Sequence, residues 1–172
     1  FDAPWNADFH TNINLQMNYW LAENCNLSET SLILSHFMQK IAEAGNVTAK
    51  EMYGTNGWTI HHLTDPFGRT GAADGVWGIT PMNGPWMTFP VYEHFLFTRD
   101  TSYLKNIAYP LLKGSAEFVL GFITKSPEGF LVTNPSHSPE NEFHDQFVNQ
   151  KSSLTYAATI DIEIANALFD YC

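Results

Sequence analysis

The stretch Asn134-Pro135-Ser136-His137-Ser138-Pro139-Glu140-Asn141-Glu142-Phe143-His144-Asp145 sets two carboxylates, Glu140 and Glu142, beside Pro135 and Pro139. A carboxyl on a stiff loop against aromatic surface suits a general acid, because desolvation favours its protonated form. The same residues also fit a solvated acidic loop ahead of a helix. A second cluster lies near the start, where Asp8-Phe9-His10-Thr11-Asn12-Ile13-Asn14-Leu15-Gln16-Met17-Asn18-Tyr19-Trp20 crowds amides into the first turns of a helical pattern. Asparagine competes with the helical backbone for hydrogen bonds, so Asn12 is explained as a helix start but Asn14, Gln16 and Asn18 are not. Amides both donate and accept, which suits a polyhydroxylated ligand or a positioned water. Trp5, Trp20, Trp58, Trp77 and Trp86 can stack on the apolar face of a pyranose, or simply fill a core.

Other chemistries find less support. His10, His61, His62, His137 and His144 lack the His-Glu-x-x-His spacing, and adjacent His61 and His62 converge poorly on one ion, so no metal is expected. No phosphate-cradling glycine loop or Gly-x-Ser-x-Gly elbow occurs. The formal charge of −10 offers no basic footprint for nucleic acid or an anionic membrane. No apolar run approaches the roughly 20 residues needed to span a bilayer. Charged residues make up 15% of the chain and hydrophobic ones 44%, a balance that opposes disorder.

The elements that must position these residues read as helices. Asn12 to Glu23 carries Ile13, Met17, Trp20 and Leu21 at helical steps. Asn26-Leu27-Ser28-Glu29 has the form of a capping box opening a second helix, with a stripe of Ile33, Leu34, Phe37, Met38, Ile41 and Ala42, ending at Gly45. Thr48 and Glu51 repeat the box before a short helix stopped at Gly54. Residues 54 to 86 hold seven glycines, three prolines and three tryptophans without periodicity, and are expected to be a long ordered, functional loop region. Helix resumes over Trp86 to Thr98 and again from Ser102, with Pro110 in a first turn before Leu111 to Ile123. A hairpin piece at Gly129 to Thr133 leads into the acidic loop, and a last helix starts near Thr155.

The class is therefore mainly α, with helical hairpins gathering loops at one end and no strands expected beyond that hairpin. Cys25 and Cys172 are expected to be buried or free thiols, with a long-range disulfide as the lesser alternative in an oxidising compartment. Two glycosylation sequons in expected loops, Asn26-Leu27-Ser28 and Asn46-Val47-Thr48, point to a secreted or extracytoplasmic setting, although Asn26 and Thr48 also serve as helix caps. The chain starts at Phe1 and stops at Cys172 right behind helical spacing, so both ends are expected to be cuts.

Taken in order, the Asp8 to Trp20 segment, the Gly-, Trp- and His-bearing region 54 to 65, Gly84-Pro85-Trp86-Met87 and Pro135-Ser136-His137-Ser138-Pro139-Glu140-Asn141 resemble the catalytic domain of glycoside hydrolase family 95. Its members are α-L-fucosidases with some α-L-galactosidases. The resemblance implies an (α/α)6 barrel, a six-hairpin toroid of which residues 1–172 would form roughly half. It implies an inverting exo-α-L-fucosidase that removes terminal α-1,2-linked fucose from an oligosaccharide or glycoconjugate without a cofactor.

By the same resemblance Glu140 matches the general acid, with Glu142 as the fallback. Asn12 and Asn14 match the amides that hold the nucleophilic water, and His10 a substrate-binding residue; of the stacking candidates read from residue type, Trp77 and Trp86 are expected to bind substrate as well. The catalytic base, an Asp, is expected beyond Cys172. Asp161 lies too near Glu140 to match it and is expected to serve the helix start or support the site. Pro85 departs from the small residue expected before Trp86. Without the remainder of its own catalytic domain as partner, the chain is expected to be inactive. Two alternatives stand beside this reading: an α-L-galactosidase, and a non-catalytic carbohydrate-binding helical domain.

Overall fold

A computed structural model describes residues 2–172. After a 3-10 turn at Pro4–Ala7 the chain forms β1 (Phe9–His10) and α1 (Asn14–Tyr19). α1 is shorter than the expected Asn12 to Glu23, because Ile13 takes a left-handed φ of 57° and the chain breaks into turns after Tyr19.

The longest helix, α2 (Ser28–Tyr53), corrects three expectations at once. The Asn26 box does not form, since Leu27 is the N-cap without a side-chain bond and Ser28 instead hydrogen-bonds Glu23. Gly45 and Thr48 neither stop nor restart the helix; both are buried within it, and it ends at Gly54 in the left-handed conformation. Gly45 is needed for closeness rather than for termination. A Cβ there would sit 2.7 Å from the Thr59 carbonyl, and one on Gly84 would sit 2.8 Å from the Thr59 Cα, so the Trp58–Ile60 backbone is threaded between two helices where side chains are missing.

The long loop region is ordered, as expected, through β2 (Leu63–Thr64) and a 3-10 turn at Gly75–Gly78. It ends in α3 (Asn83–Thr98), which places Pro85 in its first turn. The next helical run has a wide turn in its middle: α4 (Thr101–Tyr103) passes through a π turn at Leu104–Ala108 into α5 (Tyr109–Phe122). The Tyr109 N–H reaches back to the Leu104 carbonyl. That widened turn accommodates Pro110, which has no N–H to donate, without breaking the helix.

Strands β3 (Thr124–Lys125) and β4 (Leu131–Val132) make a hairpin that begins five residues before the expected Gly129 to Thr133. Three further pairs form where none was expected: β1 on β2, β5 (Ser136–His137) on β8 (Leu154–Thr155), and β6 (Phe143–Asp145) on β7 (Gln150–Ser152). The last helix, α6 (Thr159–Tyr171), consequently starts four residues later than expected near Thr155.

The core is shared by the four longer helices. Leu34, Met38 and Ile41 of α2 meet Met87 and Val91 of α3, Leu112, Phe118 and Val119 of α5, and Ile164 and Leu168 of α6. Burying each such side chain contributes about 2 kcal/mol. Trp58, one of the candidate stacking residues, belongs to this core, and its Nε1–H donates to the Leu111 carbonyl at 2.9 Å. Cys25 and Cys172 are free, and both are exposed rather than buried. No helix among the described residues is long and apolar enough to cross a membrane.

Candidate active site

Loops and element ends enclose a cleft of about 640 Å³ lined by Trp5, His10, Asn12, Ile13, Asn14, His62, Asp74, Trp77, Pro139 and Glu140. Five of the six site residues expected from sequence meet here: His10, Asn12, Asn14, Trp77 and Glu140.

The amide wall is built at the start of the chain. β1 pairs antiparallel with β2, setting His10 opposite Leu63, and the Thr11 N–H extends this contact to the His62 carbonyl at 2.9 Å. Buried Thr11 donates its hydroxyl to the His61 carbonyl and accepts at its own carbonyl from Gln16 Nε2 at 2.7 Å. Gln16 is thereby a structural residue at the root of α1, which accounts for one of the unexplained amides. Directly after Thr11, Asn12 is buried, while Asn14 is exposed at the first position of α1 with its N–H on the Asn12 carbonyl at 2.7 Å. A water or hydroxyl between them meets both donors and acceptors.

The paired backbones bring His10 and His62 edge to face, with ring centroids 5.2 Å apart. Burial lowers the His62 pKa, neighbouring His10 and His137 lower it further, and Asp74 and Glu140 pull the other way. His62 therefore remains a neutral imidazole near pH 7. His61 faces the opposite direction: its Nδ1 lies 2.9 Å from the Thr70 carbonyl and its Nε2 2.6 Å from the Tyr53 hydroxyl, deep in the fold. Adjacent histidines so divide into one structural and one cleft residue.

The far wall comes from two loops. Asp74, with a left-handed φ of 70°, opens the 3-10 turn that carries Trp77. The Trp77 ring rests edge to face on His137, centroids 5.3 Å apart. His137 is buried, which lowers its pKa, and neither ring nitrogen has a hydrogen-bond partner among the described residues. Three residues on, Glu140 faces the cleft. Glu142 does not line it; its Oε2 accepts from Lys151 Nζ at 3.1 Å across the β6–β7 hairpin. Glu142→Gln is expected to leave turnover unchanged and alter stability by no more than about 0.5 kcal/mol, as for an exposed ion pair, checked by kinetics and thermal unfolding.

Trp86 requires a correction. It lies in α3, packed on the core, and lines a separate groove with Trp20, Phe89, Tyr92 and Tyr171 rather than the cleft. Its indole is held by helix packing, and His10, Trp77 and Glu140 face elsewhere. Residues that sequence reasoning did not assign to the site are Asp74 and His62. The Asp74-Gly75 turn doublet was the available signal for Asp74; His62 is placed by the β1–β2 pairing, which leaves no pattern in the sequence.

An amide pair, a cleft-facing carboxylate and flanking tryptophans offer hydrogen-bond donors and acceptors, a titratable group and apolar faces to one cleft. The model of the glycosyl hydrolase family 95 catalytic domain matches residues 1–172, and the chain belongs to that family. It is 39% identical over 168 residues to alpha-L-fucosidase 2 of Arabidopsis thaliana, covering 96% of this chain and 20% of that protein. It is 35% identical over 147 residues to probable alpha-fucosidase A of Aspergillus niger, covering 82% of this chain and 18% of the relative. The probable alpha-fucosidase A of Aspergillus oryzae matches at 39% over 85 residues, 49% of this chain and 12% of the relative. The chain spans about a fifth of the length of the first two relatives.

Proposed function

We propose that these residues carry one side of the active site of an inverting exo-α-L-fucosidase acting on terminal α-1,2-linked fucose of an oligosaccharide or glycoconjugate. The observation that carries the proposal is the convergence of Asn12 and Asn14 with Glu140, from opposite ends of the chain, in one cleft of a family 95 member. Glu140 protonates the glycosidic oxygen as the bond to C1 breaks. A water held between the Asn12 and Asn14 amides attacks C1 from the opposite face, and a carboxylate base accepts its proton. An inverting site separates acid and base by about 6.5–9.5 Å to leave room for that water. In this reading the base, and the helices that complete an (α/α)6 toroid, come from outside these 172 residues. His10 takes a fucose hydroxyl and Trp77 the apolar sugar face.

The experiment monitors hydrolysis of an α-1,2-fucosyl oligosaccharide by the intact enzyme with proton NMR. β-L-fucose is the expected first product. First appearance of the α anomer overturns inversion. Faster release of L-galactose than of L-fucose from matched glycosides favours the galactosidase reading, a distinction of one hydroxyl that apolar pockets make weakly. Binding without release identifies a carbohydrate-binding domain instead. Release of fucose by the 172-residue chain alone overturns the external base.

An extracytoplasmic setting is part of the proposal. Asn26, exposed at a turn before α2, is the sequon that supports it. Asn46 is not in a loop: its Nδ2 donates to the Ala42 carbonyl within α2, and Thr48 is buried 2.7 Å from the Thr70 hydroxyl.

A further inference from the structure

Asp161 is the third residue of α6 and caps nothing in its own helix; its carboxylate points across to the loop that leads to Glu140. One oxygen, Oδ2, accepts from the Ser136 hydroxyl at 2.6 Å and from the Thr133 hydroxyl at 3.0 Å. Ser136 Oγ in turn accepts the Ala158 N–H at 2.9 Å, and the Thr133 carbonyl accepts the Ala157 N–H at 3.0 Å. Both edges of the 133–137 segment are thus fixed, one by β8 and one by the start of α6. Thr133, Ser136 and Asp161 are all buried.

The turn that carries Glu140 is held only locally. Ser138 and Asn141 close it, with the Asn141 N–H on the Ser138 carbonyl at 2.7 Å and the Asn141 amide on the Ser138 hydroxyl at 3.0 Å. No hydrogen bond among the described residues holds the Glu140 carboxylate itself. Its position therefore derives from the backbone of the turn, and the turn's position from Ser136 and His137 just before it. His137 also supports Trp77.

We infer that Asp161 is a positioning residue for the proton donor: through Ser136 and Thr133 it sets where Glu140 stands relative to the scissile bond. A buried carboxylate is a costly means of joining a helix to a loop. Burial pushes the Asp161 carboxyl up to about 6, and the two hydroxyls only partly offset this. In return, one ionised oxygen fixes two hydroxyls at once, because hydrogen bonds to a charged acceptor are the stronger and more directional kind.

The inference rests on the fucosidase reading, and the test separates the two. Wild type, Asp161→Ala, Asp161→Asn and Ser136→Ala are prepared in the intact enzyme, and each is assayed on an α-1,2-fucosyl oligosaccharide and on α-L-fucosyl fluoride. The fluoride leaves without needing protonation by Glu140, so a misplaced acid is felt only on the oligosaccharide.

In Asp161→Ala, kcat on the oligosaccharide is expected to fall at least about tenfold more than on the fluoride. KM is expected to stay within about threefold, as for an interaction made in the transition state. Asp161→Asn, which keeps an oxygen acceptor, restores most of the difference. If Asp161→Ala does not fold, Ser136→Ala carries the test with the same selective loss. Equal losses on both substrates, or full oligosaccharide turnover in Ser136→Ala and Asp161→Ala, overturn the inference. A wild-type enzyme that cleaves neither substrate overturns the fucosidase reading and the inference with it.

Discussion

Glu140→Gln is expected to lower kcat on an α-1,2-fucosyl oligosaccharide by about 10²- to 10⁴-fold, the range typical for loss of a positioned proton donor. Glutamine keeps the size and shape of the side chain but cannot deliver a proton to the glycosidic oxygen. The departing sugar alkoxide is a poor leaving group, so the full barrier of unassisted departure returns. KM should change little, because Glu140 stands at the surface of the cleft and contributes to no packing that shapes it. The measurement is steady-state kinetics of the intact enzyme, paired with binding of the oligosaccharide by calorimetry. A loss of binding equal to the loss of turnover would falsify the role, because it would make Glu140 a substrate ligand instead. The ion pair to Lys151 predicts the contrast, since Glu142 is held outside the cleft.

The second large effect concerns stability. Glu23 and His94 form a buried pair, Oε1 to Nδ1 at 2.7 Å, that ties the turn after α1 to the middle of α3. Burial pushes the Glu23 carboxyl up, but hydrogen bonds from Ser28, His94 and Ser31, with the His94 charge, outweigh it and hold the pKa below 4.5. A depressed carboxylate contributes stability above its unfolded value, and that contribution is lost as pH falls through the folded one. Glu23→Ala is expected to cost about 3 kcal/mol near pH 7, because buried His94 loses its partner and half-buried Ser28 loses its acceptor. It should also flatten the fall in stability below about pH 4.5. Urea unfolding of the chain across that range checks both; an unchanged midpoint at pH 7 refutes the first.

Much of the helical framework is legible in periodicity alone. The stripe from Leu34 to Ile41 is a core face, and the helix stops at Gly54 as its glycine signals. Gly45 misleads because glycine marks both helix ends and close backbone approach, and only the distant Thr59 tells which applies. The two-residue strands are illegible for a different reason: so short a pair has no alternation to detect and is held by partners remote in sequence, as Ser136 is by Thr155. At the site, residue type and motif likeness point to His10, Asn12, Asn14, Trp77 and Glu140. Trp77 and Trp86 look alike as letters, but one stands on a short turn facing the cleft and the other on a packed helix. His61 and His62 divide in the same way, by the direction that β-pairing gives each.

The glycines that flank Thr59 have a bearing on how this cleft tolerates mutation. The room for Trp58–Ile60 is made of absent atoms on α2 and α3, not of side chains that can rotate aside. A methyl group at Gly45 or Gly84 meets main chain, so no neighbouring substitution can compensate; a whole helix must move. His62 comes three residues after Thr59, and it is one wall of the cleft. The spacing between two helices thus acts as a gauge for the candidate site, and variation far from the cleft is transmitted there by displacement of the backbone.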